Sequence, residues 1–218
     1  MKKKQNQNKI KIGISIGDIS GIGLEVIIKT FNDSRMFENI TPIIYGNSAV
    51  AKFYRKELNI QDFSFNLVKN ADEANPKRVN IIDVSTTELK LNFGRPTKET
   101  GELALKSLES ATADLAANKI DALVTAPIDK LMIQSKGFNF PGHTEYLTKM
   151  SNVDEALMLM IEDGLRVGVV TGHVPVKEIS ENISKEKILK KLRVINQTLI
   201  NDFGIEKPKL AVMGLNPH

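Results

Sequence analysis

Short apolar runs alternate along the chain with longer segments of helical period, and this alternation constrains the fold more than any other feature. "KIKIGISI" (Lys9 to Ile16) reads as a buried strand, "GLEVIIKTF" as the helix after it, "TPIIYG" as a second strand and "AVAKFYRKEL" as a second helix. "VNIIDV" is a further strand, and "TGELALKSLESATADLAANK" is the longest helix, running straight into the strand "IDALVTAP". Then come "EALMLMIEDGLRVGVVTGH", two strands joined at Asp163-Gly164, a helix through "SKEKILKKLRVINQTLIND", and a closing strand "PKLAVMGL". "FSFNLV" and "TELKLN" are candidate edge strands. Such an order predicts an α/β fold with a largely parallel sheet flanked by helices. No internal repeat and no Ser/Gly/Pro linker interrupts it, so residues 10–218 are expected to form one α/β region behind a disordered basic tail, residues 1–9.

Charge narrows the class of partner. The formal net charge is +4, yet "MKKKQNQNK" alone carries four lysines, leaving 26 basic against 26 acidic residues in the rest. A neutral body argues against a nucleic-acid face, which needs a basic stripe on the domain itself. The segment after the tail lacks the apolar region and cleavage site of an export signal, and no apolar stretch approaches membrane-spanning length. With no cysteine present, a transition metal would have to rest on His, Asp or Glu. The cytoplasm is the expected compartment.

Open α/β sheets bind ligands beyond the carboxyl ends of their strands. The strand assignments bring Asp18, the segment Thr125 to Lys130, His173 and His218 to that edge. "GDISGIG" (Gly17 to Gly23) is placed as a phosphate-binding turn would be, but its G-x-x-x-G-x-G spacing fits neither the dinucleotide fingerprint nor the P-loop; it reads equally as a tight turn, with Asp18 a turn residue or helix cap. Lys130 follows a rigid Ala-Pro step and reads either as an anion contact or as a solvated lysine. In "FPGHTE", Pro141-Gly142 makes a turn and His143-Thr144-Glu145 open a helix, with Thr144 as candidate N-cap; polar donors there suit an anion. His173 and His218 each follow an apolar strand and lie near a proline, Pro175 and Pro217. A lone histidine in such a place is usually structural; two at one edge favour a shared metal or substrate.

"GDISGIGLE", "VTAPIDKLMIQSKGFNFPGHTEYL", "RVGVVTGHVPVKEI" and "KLAVMGLNPH", in this order and at these separations, closely resemble the family of 4-hydroxythreonine-4-phosphate dehydrogenases. The resemblance covers nearly the whole chain after the tail. It implies a fold similar to isocitrate and isopropylmalate dehydrogenases, a homodimer with its active site at the interface, NAD or NADP, and a divalent metal such as zinc, magnesium or cobalt. The implied reaction is oxidation and decarboxylation of 4-phosphohydroxy-L-threonine to 3-amino-2-oxopropyl phosphate, on the route to pyridoxal phosphate. By resemblance His143 and Thr144 match a substrate-binding His-Thr pair, and His173 and His218 match two of three metal-binding histidines.

Family members continue well beyond the Asn-Pro-His motif, so the chain corresponds to roughly the N-terminal two-thirds of one. A third metal ligand and further substrate residues are then expected downstream, and the 218-residue chain alone is expected to be inactive and to bind zinc weakly. Departures from the family pattern are Ile19-Ser20, Leu24, Asp129 and Gly172; Asp129 places a carboxylate where an anion would be repelled. They leave room for a related dehydrogenase acting on a phosphorylated four-carbon sugar acid, a phosphate acyltransferase-like enzyme, or a non-catalytic phosphometabolite binder.

Overall fold

The computed structural model describes residues 9–216 apart from Glu88 and Lys90. Residues 1–8 of the expected tail, and His218, lie outside the described residues. The chain divides into two units, Met1–Asn152 and Val153–His218, each taken here by itself.

The first unit runs β1 (Ile10–Ser15), α1 (Gly23–Phe31), β2 (Ile40–Gly46), α2 (Ser48–Glu57), β3 (Phe65–Leu67), β4 (Val79–Asp83), α3 (Lys98–Ala116), β5 (Ala122–Thr125), α4 (Lys130–Gln134) and α5 (His143–Met150). Its five strands lie in the order β3-β4-β2-β1-β5, and every pairing is parallel. Side chains alternate across a strand, and here both faces are covered. Ile14, Ile44 and Ile81 pack with Leu24 and Ile28 of α1 and Val50 and Tyr54 of α2. Ile43 and Tyr45 turn to the opposite face, against Ala111 of α3 and Ile120. Coverage of both faces is why these strands read as continuous apolar runs. Burying each such isoleucine contributes roughly 1.5–3 kcal/mol.

Pro42 sits inside β2, a strand with neighbours on both sides, although proline has no N–H for a ladder. Asn80 of β4 accommodates it. This fully buried side chain uses its amide nitrogen toward the carbonyls of Pro42, Asn75 and Arg78, while its oxygen accepts from the Asn75 amide and the Asn66 side chain.

The second unit holds an antiparallel hairpin, β6 (Leu159–Glu162) and β7 (Leu165–Gly168), turning at Asp163-Gly164, and one long helix, α6 (Lys185–Asn201). Ser184 caps α6 by accepting from the Lys187 amide at 3.2 Å. Lys191 of α6 is largely buried and ties the start of the unit to the helix through the Ala156 carbonyl (2.8 Å) and the Glu155 carboxylate (2.6 Å).

Two strand expectations are corrected. The closing run "PKLAVMGL" forms no ladder among the described residues; Val212, Met213 and Leu215 are exposed. Alternation supplies a strand's side-chain pattern, but an edge must also be present to pair its backbone, and no described strand offers one to this segment. The described residues of "TELKLN" likewise run as loop.

Candidate functional site

From β1 the chain reaches β2 on one side and β5 on the other, so the carboxyl ends of β1 and β5 flank the point where strand order reverses. Crevices at such points are where open α/β sheets hold ligands. Here the base of the crevice is laced shut. Gly17 adopts a left-handed φ of +64°, and a Cβ at this position would lie 2.1 Å from the Pro127 carbonyl oxygen. The Asp18 amide then donates to that same carbonyl at 2.8 Å.

The rest of the glycine-rich turn closes on itself. The Asp18 carboxylate accepts from the Ser20 amide at 3.0 Å, and its carbonyl from the Gly21 amide at 3.1 Å. The buried Tyr54 hydroxyl lies 2.6 Å from the Ile19 carbonyl and 2.8 Å from that of Gly21, and the Gly94 amide donates to the Ser20 carbonyl. A phosphate-binding turn needs free amides; those of Asp18, Ser20 and Gly21 are occupied. These bonds make "GDISGIG" a tight turn with Asp18 as its turn residue. Tyr54 went unrecognised in the sequence because Val50 and Tyr54, one helical turn apart, look only like an apolar face.

After β5 the chain carries polar groups outward. Asp129 caps α4, its carboxylate accepting from the Met132 amide at 2.9 Å, so it serves the local backbone. Gly101 of α3 lets α4 approach, since a Cβ there would stand 2.4 Å from the Met132 carbonyl carbon. Ile133 of α4, Phe138 and Tyr146 of α5 share one apolar cluster with Ala104 and Leu108 of α3. Phe140 meets Tyr146 edge-on at 5.4 Å. This cluster fixes the segment that ends in α5.

His143 is the first residue of α5. The cap is Gly142 in extended conformation, without a side-chain bond; Thr144 is thus the second helical residue and not the cap expected from the sequence, because Pro141-Gly142 already turns the chain. Thr144 is exposed. The His143 ring is half-buried, and its Nε2 is wholly shielded without a hydrogen-bond partner. Burial, and secondarily the charge of Lys130, hold its pKa below the usual histidine value. The neutral imidazole therefore has an unused polar edge, which suits hydrogen bonding to a substrate oxygen.

In the second unit His173 is exposed and stands at a left-handed φ of +55°, uncommon for any residue with a Cβ. It follows β7 by five residues, and β7 pairs with β6 in the two-stranded sheet, so the run before His173 is not a strand of the five-stranded sheet. The ladder ends at Gly168, short of the "VVTG" that the sequence suggested as strand. No group of three or more His, Asp or Glu side chains gathers among the described residues to hold a metal ion. His173 is thus a single imidazole donor, and the described residues do not make a metal centre by themselves.

A parallel sheet with helices on both faces, polar loops at its carboxyl edge and an unpartnered imidazole in the first unit define an α/β fold of the class that holds ligands at that edge in other proteins. The chain belongs to the family of the pyridoxal phosphate biosynthetic protein PdxA, whose pattern residues 38–218 match. It is 46% identical over 213 residues to the 4-hydroxythreonine-4-phosphate dehydrogenase of Bacteroides thetaiotaomicron, covering 97% of this chain and 58% of that protein. A protein of Oceanobacillus iheyensis provisionally named D-threonate 4-phosphate dehydrogenase is 32% identical, over 95% of this chain and 63% of its own length. Among solved structures, a 4-hydroxythreonine-4-phosphate dehydrogenase of Burkholderia phymatum superposes with a TM-score of 0.84 at 29% identity, covering 96% of this chain and 64% of that one. The chain spans less than two thirds of the length of these relatives.

Proposed function

We propose that the chain acts in a metal-dependent, NAD(P)-linked dehydrogenase that oxidises and decarboxylates 4-phosphohydroxy-L-threonine to 3-amino-2-oxopropyl phosphate. The observation that carries this reading is the 46% identity to a relative of that name, across 97% of the chain. His143 and Thr144 are the substrate-binding pair. The neutral His143 imidazole directs a hydrogen bond to a substrate oxygen, and the exposed Thr144 hydroxyl offers a second; together they fix which carbon faces the nicotinamide.

His173 and His218 are assigned as two ligands of a divalent metal completed by a further donor, and when bound such an ion polarises the substrate oxygen as a Lewis acid. A homodimer with the active site at its interface, and a cytoplasmic location, belong to the same reading. No helix among the described residues is long and apolar enough to cross a membrane.

The identity to the D-threonate 4-phosphate relative favours one second reading, a dehydrogenase for a phosphorylated four-carbon sugar acid. Formation of NADH or NADPH by a purified chain extended through the region its relatives carry beyond residue 218, with added zinc, magnesium or cobalt, separates the two. Turnover of 4-phosphohydroxy-L-threonine and not of D-threonate 4-phosphate supports the first reading, and the reverse preference replaces it. Acyl transfer to phosphate, or phosphometabolite binding without oxidation of either compound, would sink both.

A further inference from the structure

We propose that residues 209–214 are a third strand of the β6-β7 sheet, docking in parallel on the edge of β7 that β6 leaves free, with α6 as the crossover between them. The second unit is without a core as it stands: of its described residues only Lys191 and Leu199 are buried. In place of a core it has a hollow of about 630 Å³, lined by β7, by Leu192 and Ile195 of α6, and by Leu210 to Met213. A hairpin of two strands buries little, and a third strand widens the face that a helix can cover.

The parts of a strand–helix–strand unit already surround that hollow. Gly168, at the end of β7, faces α6, and a Cβ there would stand 3.2 Å from Ile195 Cδ1, so the helix packs directly on the β7 backbone. Beyond α6 the Phe203 amide donates to the Thr198 carbonyl, and the Ile205 amide to that of Leu199 at 2.9 Å, around Gly204 at a left-handed φ of +65°. This closure turns the chain off the helix, and the run that follows reaches the same hollow as β7. Parallel neighbours need a connection of about a dozen residues or more, usually a helix, and α6 alone has 17.

The hollow separates the run from β7 and leaves it unpaired, with Val212 58% and Met213 88% exposed. Docking answers both deficits, burying an apolar flank and pairing the backbone of two segments. A small apolar ligand in the hollow would leave those N–H and C=O groups without partners. Parallel docking also sets two carboxyl ends side by side, so that residues 171–173 and the residues after Gly214 leave the sheet at one edge. The metal assignment of His173 and His218 is a separate reading, and the docking does not rest on it.

The chain has no cysteine, so every disulfide formed is an engineered one. In the chain extended through the region its relatives carry beyond residue 218, Val167→Cys is combined in turn with Leu210→Cys, Ala211→Cys, Val212→Cys or Met213→Cys and oxidised. Neighbouring strands lie about 4.8 Å apart with side chains on alternate faces, within the span of a disulfide, so crosslinking should alternate along the run, favoured positions exceeding their neighbours about tenfold. Hydrogen exchange on the unsubstituted chain guards against variants that misfold: amides of the run should exchange about tenfold or more slowly than those of residues 171–173. Uniform crosslinking along the run, or none, overturns the proposal. So does protection of the β7 edge without protection of the run, which would give that edge to polypeptide beyond residue 218. Added zinc should speed the crosslink if His173 and His218 share an ion; an alternating crosslink that zinc leaves unchanged keeps the strand and removes the shared ion from the proposed function.

Discussion

The Asp18 amide donates to the Pro127 carbonyl at 2.8 Å, and that bond ties the loop after β1 to the loop after β5 at the reversal point of the sheet. Gly17 makes the approach possible. At φ +64° and with the Pro127 oxygen where a Cβ would lie, this position penalises a side chain twice, once in backbone conformation and once in contact. Gly17→Ala should cost about 2 kcal/mol or more of stability, seen as a lowered urea midpoint. A midpoint within error of wild type would mean that the two loops separate without cost.

Ser107 of α3 does a related job one layer in. Its fully buried hydroxyl accepts from the Ile16 amide at 3.0 Å and donates to the Tyr45 carbonyl at 2.5 Å. It therefore stands where the ladder between β1 and β2 has just ended, satisfying a donor on one strand and an acceptor on the other. Ser107→Ala would leave both groups buried and unpaired, for a loss of about 2–3 kcal/mol; Ser107→Thr keeps the hydroxyl but adds a methyl to a closed space. The alanine variant should also exchange the Ile16 amide faster in hydrogen-exchange measurements. Unchanged protection there would show that water takes the serine's place.

Much of the first unit was legible because its strands are covered on both faces, and continuous runs such as "PIIYG" and "VNIID" have little other use. His143 at the start of a helix was legible too, from the Pro-Gly turn before it. What the sequence concealed depends on partners distant in the chain. The turn at Gly17 resembles a ligand loop until the occupants of its amides are known, and Asp129 resembles an anion-repelling residue until its bond to Met132 is seen. "PKLAVMGL" has the pattern of a strand but lacks a described neighbour, and pairing is a property of two segments. Metal ligation by His173 and His218 stays a proposal drawn from resemblance and from their places after apolar runs, and His218 lies outside the described residues.

Protonation of His143 should make stability depend on pH. Burial first, and Lys130 second, depress its pKa in the folded chain, so the unfolded chain takes up this proton more readily. The stabilising contribution is complete above the unfolded value, near pH 6.5, and is lost as pH falls from there toward the folded value. His143→Gln should therefore flatten the decline of melting temperature below about pH 6.5, and Lys130→Met should flatten it less, because burial persists. An identical slope in wild type and His143→Gln would show that the ring gains a proton as easily folded as unfolded.

His173 offers a test that separates backbone strain from ligation. Its left-handed φ of +55° costs an L-residue roughly 1–2 kcal/mol, which glycine would not incur. In the presence of a chelator, His173→Gly should therefore raise the melting temperature, while His173→Ala keeps the strain and gains nothing. Asn, which tolerates this conformation, should fall between them. Added zinc should reverse the order if His173 is a ligand, since an ion bound only to the folded state stabilises it by mass action, and none of the three variants can supply the imidazole. Destabilisation by His173→Gly under chelation would show that the ring makes contacts outweighing the strain. A zinc-dependent rise in all three variants equal to that of wild type would remove His173 from the metal site.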